Sequence, residues 1–283
     1  MKKDINCLQE RGIVETRDKK FFYNGETIIP NSAFVLYDSD KDEKFFKSIY
    51  IQKLMSKPAI FFYGNCNNPE HKGCKYKIEE FKGIDLVSFL EMNFTITEKI
   101  ILHIFYSISK ELEKLHLLHI VHGDLKLENV IIKIEEKKIV DIQLIDYDES
   151  FVDKCHKNPH TPNVLTHEEY NNKEYSHVET TFSDPLDANN SSKMDIYGLG
   201  LILLYLHVFK NNKTKLPKFW NNPKLSSSCC YDKKKPDSFT KIVTFIDNNE
   251  QLIDLLKHML CENFQDRYSI KNVLNHPYLS FFK

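Results

Sequence analysis

Between residues 121 and 148 the sequence concentrates side chains that could do chemistry. Val121-His122-Gly123-Asp124-Leu125-Lys126-Leu127-Glu128-Asn129-Val130 gathers an imidazole, a carboxylate, an ammonium group and a carboxamide in one short segment. The apolar pair Ile131-Ile132, a charged hairpin and Gln143-Leu144-Ile145-Asp146-Tyr147-Asp148 follow. In a polar turn between helix and strand, such Asp and Asn side chains would merely satisfy backbone groups. The alternative is a reaction that depends on positioning and charge neutralisation rather than on covalent help, for which these group types are suited.

The elements that must position this segment change character along the chain. Residues 12 to 37 read as short strands: Gly12-Ile13-Val14, then Phe21-Phe22-Tyr23 before Asn24-Gly25, then Ala33-Phe34-Val35-Leu36-Tyr37 after Pro30-Asn31. Apolar Phe45, Ile49, Ile51 and Leu54 among charges predict a helix over 41–55, with strands at Ala59–Tyr63 and Tyr76–Ile78. From residue 84 the pattern is helical. Thr95-Ile96-Thr97-Glu98 has the capping-box spacing, in which the hydroxyl and the carboxylate satisfy orphan backbone donors. Ile100, Ile101, Ile104, Phe105, Ile108, Leu112 and Leu115 then recur at three- and four-residue steps. Later helices are expected over Asp195–Phe209, Glu250–Cys261 and Ser269–Leu274. A β-rich front of about 80 residues and a helical remainder predict an α+β chain with a cleft between two unequal lobes.

The segment from Val121 resembles the catalytic loop of the eukaryotic-type protein kinases, H-R-D-L-x-x-x-N, and Asp146-Tyr147-Asp148 resembles their D-F-G. The resemblance implies a bilobal protein-kinase fold, with a small β-rich N-lobe over 1–78 and the hinge and larger helical C-lobe over 79–283. It implies that Asp124 accepts the substrate hydroxyl proton, that Lys126 places an ammonium on the γ-phosphate, and that Asn129 and Asp146 supply oxygens to Mg²⁺. Lys77-Ile78-Glu79-Glu80-Phe81-Lys82-Gly83-Ile84-Asp85 resembles the hinge. Ile78 would be the gatekeeper, the backbone of Glu79, Glu80 and Phe81 would face adenine, Asp85 would lie near the ribose, and Ile131 beneath the adenine. Ser192-Lys193-Met194-Asp195-Ile196-Tyr197-Gly198-Leu199-Gly200 resembles the buried helix whose Asp holds the catalytic loop, which assigns that role to Asp195 and a structural role to His122. Gln265-Asp266-Arg267-Tyr268-Ser269 through His276-Pro277 resembles the end of the C-lobe, with Arg267 as structural support. ATP and Mg²⁺ are the implied cofactors and a protein hydroxyl the implied substrate; Lys126 favours Ser/Thr over Tyr. Two other readings stand beside this one: a pseudokinase acting as a signalling scaffold or allosteric partner, and a small-molecule kinase on the same fold.

The sequence departs from the family pattern mainly at the front. Residues 10 to 26 offer only Gly12 and Gly25 where a glycine-rich loop is expected, and Ala33–Tyr37 ends in tyrosine where the family's strand lysine should stand. Ten residues before Pro58, where the lysine's Glu partner usually falls, stands Ser48. Lys19, Lys20 and Lys53 are candidate surrogates for the lysine. Gly123 replaces the arginine that pairs with a phosphorylated activation loop in many kinases, Asp148 replaces the last glycine of D-F-G, and Asp184-Pro185-Leu186-Asp187 is the nearest match to the end of the activation segment. Asp187 would then pair with Arg267.

The chain has 283 residues, 41% hydrophobic and 28% charged, enough apolar material for a substantial core. A net charge of −1 argues against a whole-protein footprint for nucleic acid or an anionic membrane. Its longest apolar stretch, Ile196–Phe209, contains His207 and reads as a buried helix. The charged N-terminus and seven cysteines without a disulfide framework point to an intracellular protein, cytoplasmic or nuclear. Only Arg11, Arg17 and Arg267 are arginine. Cys66, His71 and Cys74 lack a fourth zinc ligand and read as a surface loop, and Cys229-Cys230 read as inert thiols. His156, His160, His167 and His177 read as part of a solvated activation segment, and Lys137-Lys138 and Lys233–Lys235 as solvated turns. Nothing in the sequence bears on oligomeric state.

Overall fold

The computed structural model describes residues 13–15, 21–23, 26–29, 32–37, 50–55, 59–62, 75–80, 83–92, 95–152, 188–212, 246, 248–261 and 263–282. The chain divides into two units, one of residues 1–84 and 131–140, the other of residues 85–130 and 141–283.

The first unit is built from antiparallel strands rich in β-branched and aromatic residues, which favour a pleated surface. Strands β1 (Ile13–Glu15), β2 (Phe21–Tyr23) and β3 (Glu26–Ile29) pair in chain order, with a register shift between Phe21 and Phe22. In a second sheet, β4 (Ser32–Tyr37) and β5 (Ala59–Phe62) both pair with β6 (Lys75–Glu80). Ile78 is opposite Phe34 on one side and Ile60 on the other. Here the structure corrects the end of the expected strand Tyr76–Ile78. Glu79 pairs with both Ala33 and Ala59, and Glu80 with Ser32, so β6 runs two residues past Ile78. The ladder on both sides holds these residues in the strand. Of the helix expected over 41–55, the described part is helical over 50–54.

A short strand β7 (Ile84–Asp85), β9 (Val130–Glu135) and β10 (Lys138–Leu144) form a sheet in the order β10-β9-β7. The β9–β10 turn puts Glu136 at φ 49° and Lys137 at φ 63°. Two successive left-handed residues make the type I′ geometry whose twist matches a two-residue hairpin.

In the second unit, α1 (Leu86–Glu91) starts at Asp85, whose carboxylate accepts Ser88 N at 2.8 Å. Helix α2 (Glu98–Leu117) buries Ile101, Ile104, Phe105, Ile108, Leu112 and Leu115 along one face. Its start is corrected: the N-cap is Thr97, accepting from Ile100 N at 3.3 Å, so Glu98 is the first helical residue. Tertiary partners decide this. Glu98 accepts Lys210 Nζ at 2.8 Å and Tyr278 Oη at 2.9 Å, which a capping-box carboxylate turned back on the helix would forgo.

Two short strands, β8 (Ile120–Val121) and β11 (Phe151–Val152), pair antiparallel and bracket the segment between them. Helix α3 (Ala188–Asn212) is buried almost all round from Asp195 to Val208 and lies against α2. Its Ser192–Asn211 stretch has the length and composition of a membrane span, but most of it is enclosed by the protein, as for a core helix. Helix α4 (Glu250–Met259) lies against α3 and buries Leu252, Leu255, Leu256 and Met259, and its N-cap Asn249 accepts from Gln251 N and Leu252 N. Helix α5 (Ile270–Asn275) starts with a capping box between Ser269 and Asn272. A 3-10 segment, Pro277–Phe282, ends the described chain.

Candidate active site

The loop from His122 to Asn129 leaves β8 and enters β9 through a 3-10 turn, Leu127–Asn129. Its shape begins at Gly123, whose φ of 78° lies where a side chain would be strained. Two buried amides flank this bend, and Asp195 takes both. His122 N donates to its Oδ2 at 2.8 Å and Gly123 N to its Oδ1 at 3.0 Å. Helix α3 approaches the loop closely because Gly198 has no Cβ; one built there would stand 2.7 Å from the Leu125 carbonyl oxygen.

His122 is fully buried and links the loop to the strand before Asp146. Its Nδ1 accepts from Asp124 N at 3.4 Å, which leaves Nε2 as the N–H that donates to Ile145 O at 3.0 Å. Its own carbonyl accepts from Ser150 Oγ at 2.8 Å. Tyr147 tilts against the imidazole at 5.3 Å between ring centres, and its hydroxyl donates to Leu144 O at 2.9 Å. Ile145 N donates to Asn129 O at 3.0 Å, so the two segments of the site are tied by backbone as well. Asp146 adopts φ 63° at the end of that tie. A non-glycine residue held in this region marks a place where surrounding structure imposes a special geometry.

Two side chains converge on one carboxylate, that of Asp124. Lys126 Nζ donates to Asp124 Oδ2 at 2.6 Å, and Asn129 Nδ2 donates to the same oxygen at 3.1 Å and to the Asp124 carbonyl at 2.8 Å. The Asp124 side chain is 7% exposed. Its other oxygen, Oδ1, is buried and has no hydrogen-bond partner among the described residues. An unpaired, desolvated carboxylate oxygen is costly, so a retained one points to a ligand or proton yet to come. Asn129 spends its N–H groups on Asp124 and leaves its Oδ1 as the available end of the carboxamide. That oxygen and the Asp146 carboxylate are the hard donors a small divalent cation takes, and they fit Mg²⁺.

The remaining sequence-predicted residues are placed as follows. Ile78, Glu79 and Glu80 lie in β6, and Ile131 is buried in β9. Asp85 is occupied as a cap, with its Oδ2 accepting Ser88 Oγ at 2.6 Å, so a ribose contact would have to displace that bond. Arg267 is buried; its Nε donates to Cys261 O at 2.7 Å and its guanidinium lies 4.9 Å above the Tyr197 ring. Lys53 is exposed. Phe81, Lys19, Lys20, Ser48, Cys66, His71, Cys74, His156, His160, His167, His177, Asp184–Asp187, Cys229, Cys230 and Lys233–Lys235 lie outside the described residues. Sequence reasoning missed His116, which bonds Asp195, and Ser150. The only signal for His116 was a basic residue in the last turn of a helix.

An α+β chain whose loop is anchored on a buried helix Asp, with carboxylate, ammonium and carboxamide converging in it, has the fold of the protein-kinase class. The protein kinase domain family matches residues 35–279, and the chain belongs to that family. It is 27% identical to a Dictyostelium discoideum protein named as a probable serine/threonine-protein kinase kinase, over 95% of this chain and 68% of that one. It is 28% identical to the meiosis-specific serine/threonine-protein kinase mek1 of Schizosaccharomyces pombe, over 71% of this chain and 42% of that one. It is 24% identical to mouse MAP kinase-activated protein kinase 5, over 72% and 43% respectively. The chain thus spans less than half the length of the last two.

Proposed function

We propose that this protein kinase is catalytically active and transfers the γ-phosphoryl group of ATP to serine or threonine hydroxyls of intracellular proteins. The observation that supports the reading is the division of labour within the Asp124 carboxylate: Oδ2 is held by Lys126 and Asn129, and Oδ1 is left as an acceptor. In the reaction, the substrate hydroxyl gives its proton to Asp124 Oδ1 while its oxygen forms a bond to the γ-phosphorus. The bond from that phosphorus to the β,γ-bridging oxygen breaks, and ADP leaves with the electron pair. Oδ1 is closed to solvent here, so substrate entry includes a small rearrangement around it. Lys126, already at 2.6 Å from Oδ2, supplies a positive charge beside the transferred group and orients the base. Asn129 and Asp146 would hold Mg²⁺, which when bound neutralises phosphate charge. Serine and threonine are preferred because Lys126 stands where the family's Ser/Thr members carry lysine.

A second reading, a weak or inactive pseudokinase, is favoured by one feature: β4 ends at Tyr37, opposite Lys75, without a lysine of its own. A melting-temperature titration with ATP and Mg²⁺, run beside a phosphorylation assay on Ser/Thr and Tyr peptides, separates the two. The active reading expects a rise in melting temperature that needs both ATP and Mg²⁺, is lost in Asp146→Asn, and accompanies labelling of the Ser/Thr peptides. Binding without transfer, or no binding, would support the pseudokinase.

A further inference from the structure

The pairing of β8 with β11 sets Phe151 opposite Val121 and Val152 opposite Ile120. One step further along the same register, Ser150 stands opposite His122, where the loop departs from the strand. The backbone ladder stops there, because Ser150 N turns back to donate to Tyr147 O at 3.1 Å. The side chain takes over: Ser150 Oγ donates to His122 O at 2.8 Å. Ser150 is fully buried, so this bond is shielded from competing water. His122 O and Gly123 N belong to one peptide unit, and Gly123 N is held by Asp195 Oδ1 at 3.0 Å. The unit is thus fixed from two sides, its carbonyl by the segment that follows Asp146 and its N–H by helix α3. Gly123, at φ 78° and without a Cβ, makes the second hold consequential. Glycine offers little steric preference among orientations of the peptide before it, so hydrogen bonds must choose one. Asp195 alone would leave the unit able to tilt about its N–H bond.

We propose that Ser150 is a positioning residue of the catalytic loop: its hydroxyl orients the His122–Gly123 peptide and, through that bend, sets the place of Asp124. It also joins the two halves of the site. Ile145 N ties the segment of Asp146 to the far end of the loop at Asn129 O, and Ser150 Oγ ties the same segment to the near end at His122 O. Asp124 lies between these ties. The consequence for turnover rests on the reading of Asp124 as the base; the consequence for the loop backbone does not.

Ser150→Ala removes the hydroxyl with little change in volume, and Ser150→Thr keeps it. The readouts in the full chain are kcat and KM for ATP in peptide phosphorylation, the carbonyl ¹³C resonance of His122, and the solvent exchange rate of the Gly123 amide. In Ser150→Ala the His122 carbonyl is expected to move upfield as it loses a donor. The Gly123 amide should exchange about two- to tenfold faster, the factor that one net hydrogen bond is worth. The expected kcat is lower by about three- to tenfold with KM for ATP nearly unchanged, because the base is displaced rather than the nucleotide. Ser150→Thr should keep the wild-type carbonyl resonance and most of the rate. An unmoved His122 carbonyl in Ser150→Ala would overturn the proposal, as would a moved carbonyl with wild-type kcat, since the bond would then be structural alone. If the wild type transfers no phosphate, the reading of Asp124 fails, while the carbonyl resonance and the amide exchange still decide whether Ser150 holds the loop. If the extra methyl of Ser150→Thr lowers its melting temperature below that of Ser150→Ala, the alanine variant decides by itself.

Discussion

Gly123 occupies the bend on which the candidate active site turns, and its φ of 78° lies in the left-handed region that glycine adopts without strain. An L side chain in that region costs about 1–2 kcal/mol. Gly123→Ala is therefore expected to lower the melting temperature by roughly 2–4 °C, read by calorimetry, whereas an unchanged transition would mean that the bend relaxes at no cost. The same scale explains what was readable. Asp124, Lys126 and Asn129 stand out because one short segment carries their spacing in the chain itself, and Asp195 because a second segment, 192–200, does so. His116 was not, because its partner Asp195 lies 79 residues away and nothing local to His116 records that bond.

Elements were legible where burial is periodic and illegible where a tertiary partner chooses between local options. The buried face of α2 follows the three- and four-residue recurrence of its isoleucines and leucines. Its cap does not: Thr95 and Thr97 are both suitable, and the choice falls to Lys210 and Tyr278, residues 112 and 180 positions from Glu98. The end of β6 was misplaced for a similar reason, since Glu79 and Glu80 lack strand propensity and are held by the ladder with β4 and β5. The β9–β10 turn offers a test at this scale. Glu136 and Lys137 both sit at positive φ, where Asn-Gly is the favoured pair. Glu136→Asn with Lys137→Gly should stabilise the protein by about 0.5–1 kcal/mol, seen as a higher melting temperature. A lower one would show that these side chains contribute more than their backbone strain costs.

At the scale of the whole molecule, the residues assigned to chemistry in the loop and around it, from His116 to Asn129, Ile145 to Ser150 and Asp195, belong to one of the two units. Of the chain's three arginines, Arg267 is buried on Cys261 O and Tyr197, and position 123 carries no cation to read a phosphate. Activity should accordingly be indifferent to phosphatase treatment of the freshly made protein; loss of activity on dephosphorylation would require a phosphate-ordered segment. The central claim, that Asp124 is the base of a phosphoryl transfer, is tested most directly by the rate of labelled γ-phosphate transfer from ATP to a Ser/Thr peptide in wild type and Asp124→Asn. The account predicts transfer by the wild type and a rate in Asp124→Asn lower by about 10²–10⁴-fold, with the ATP- and Mg²⁺-dependent rise in melting temperature retained. Equal rates in the two proteins would contradict it.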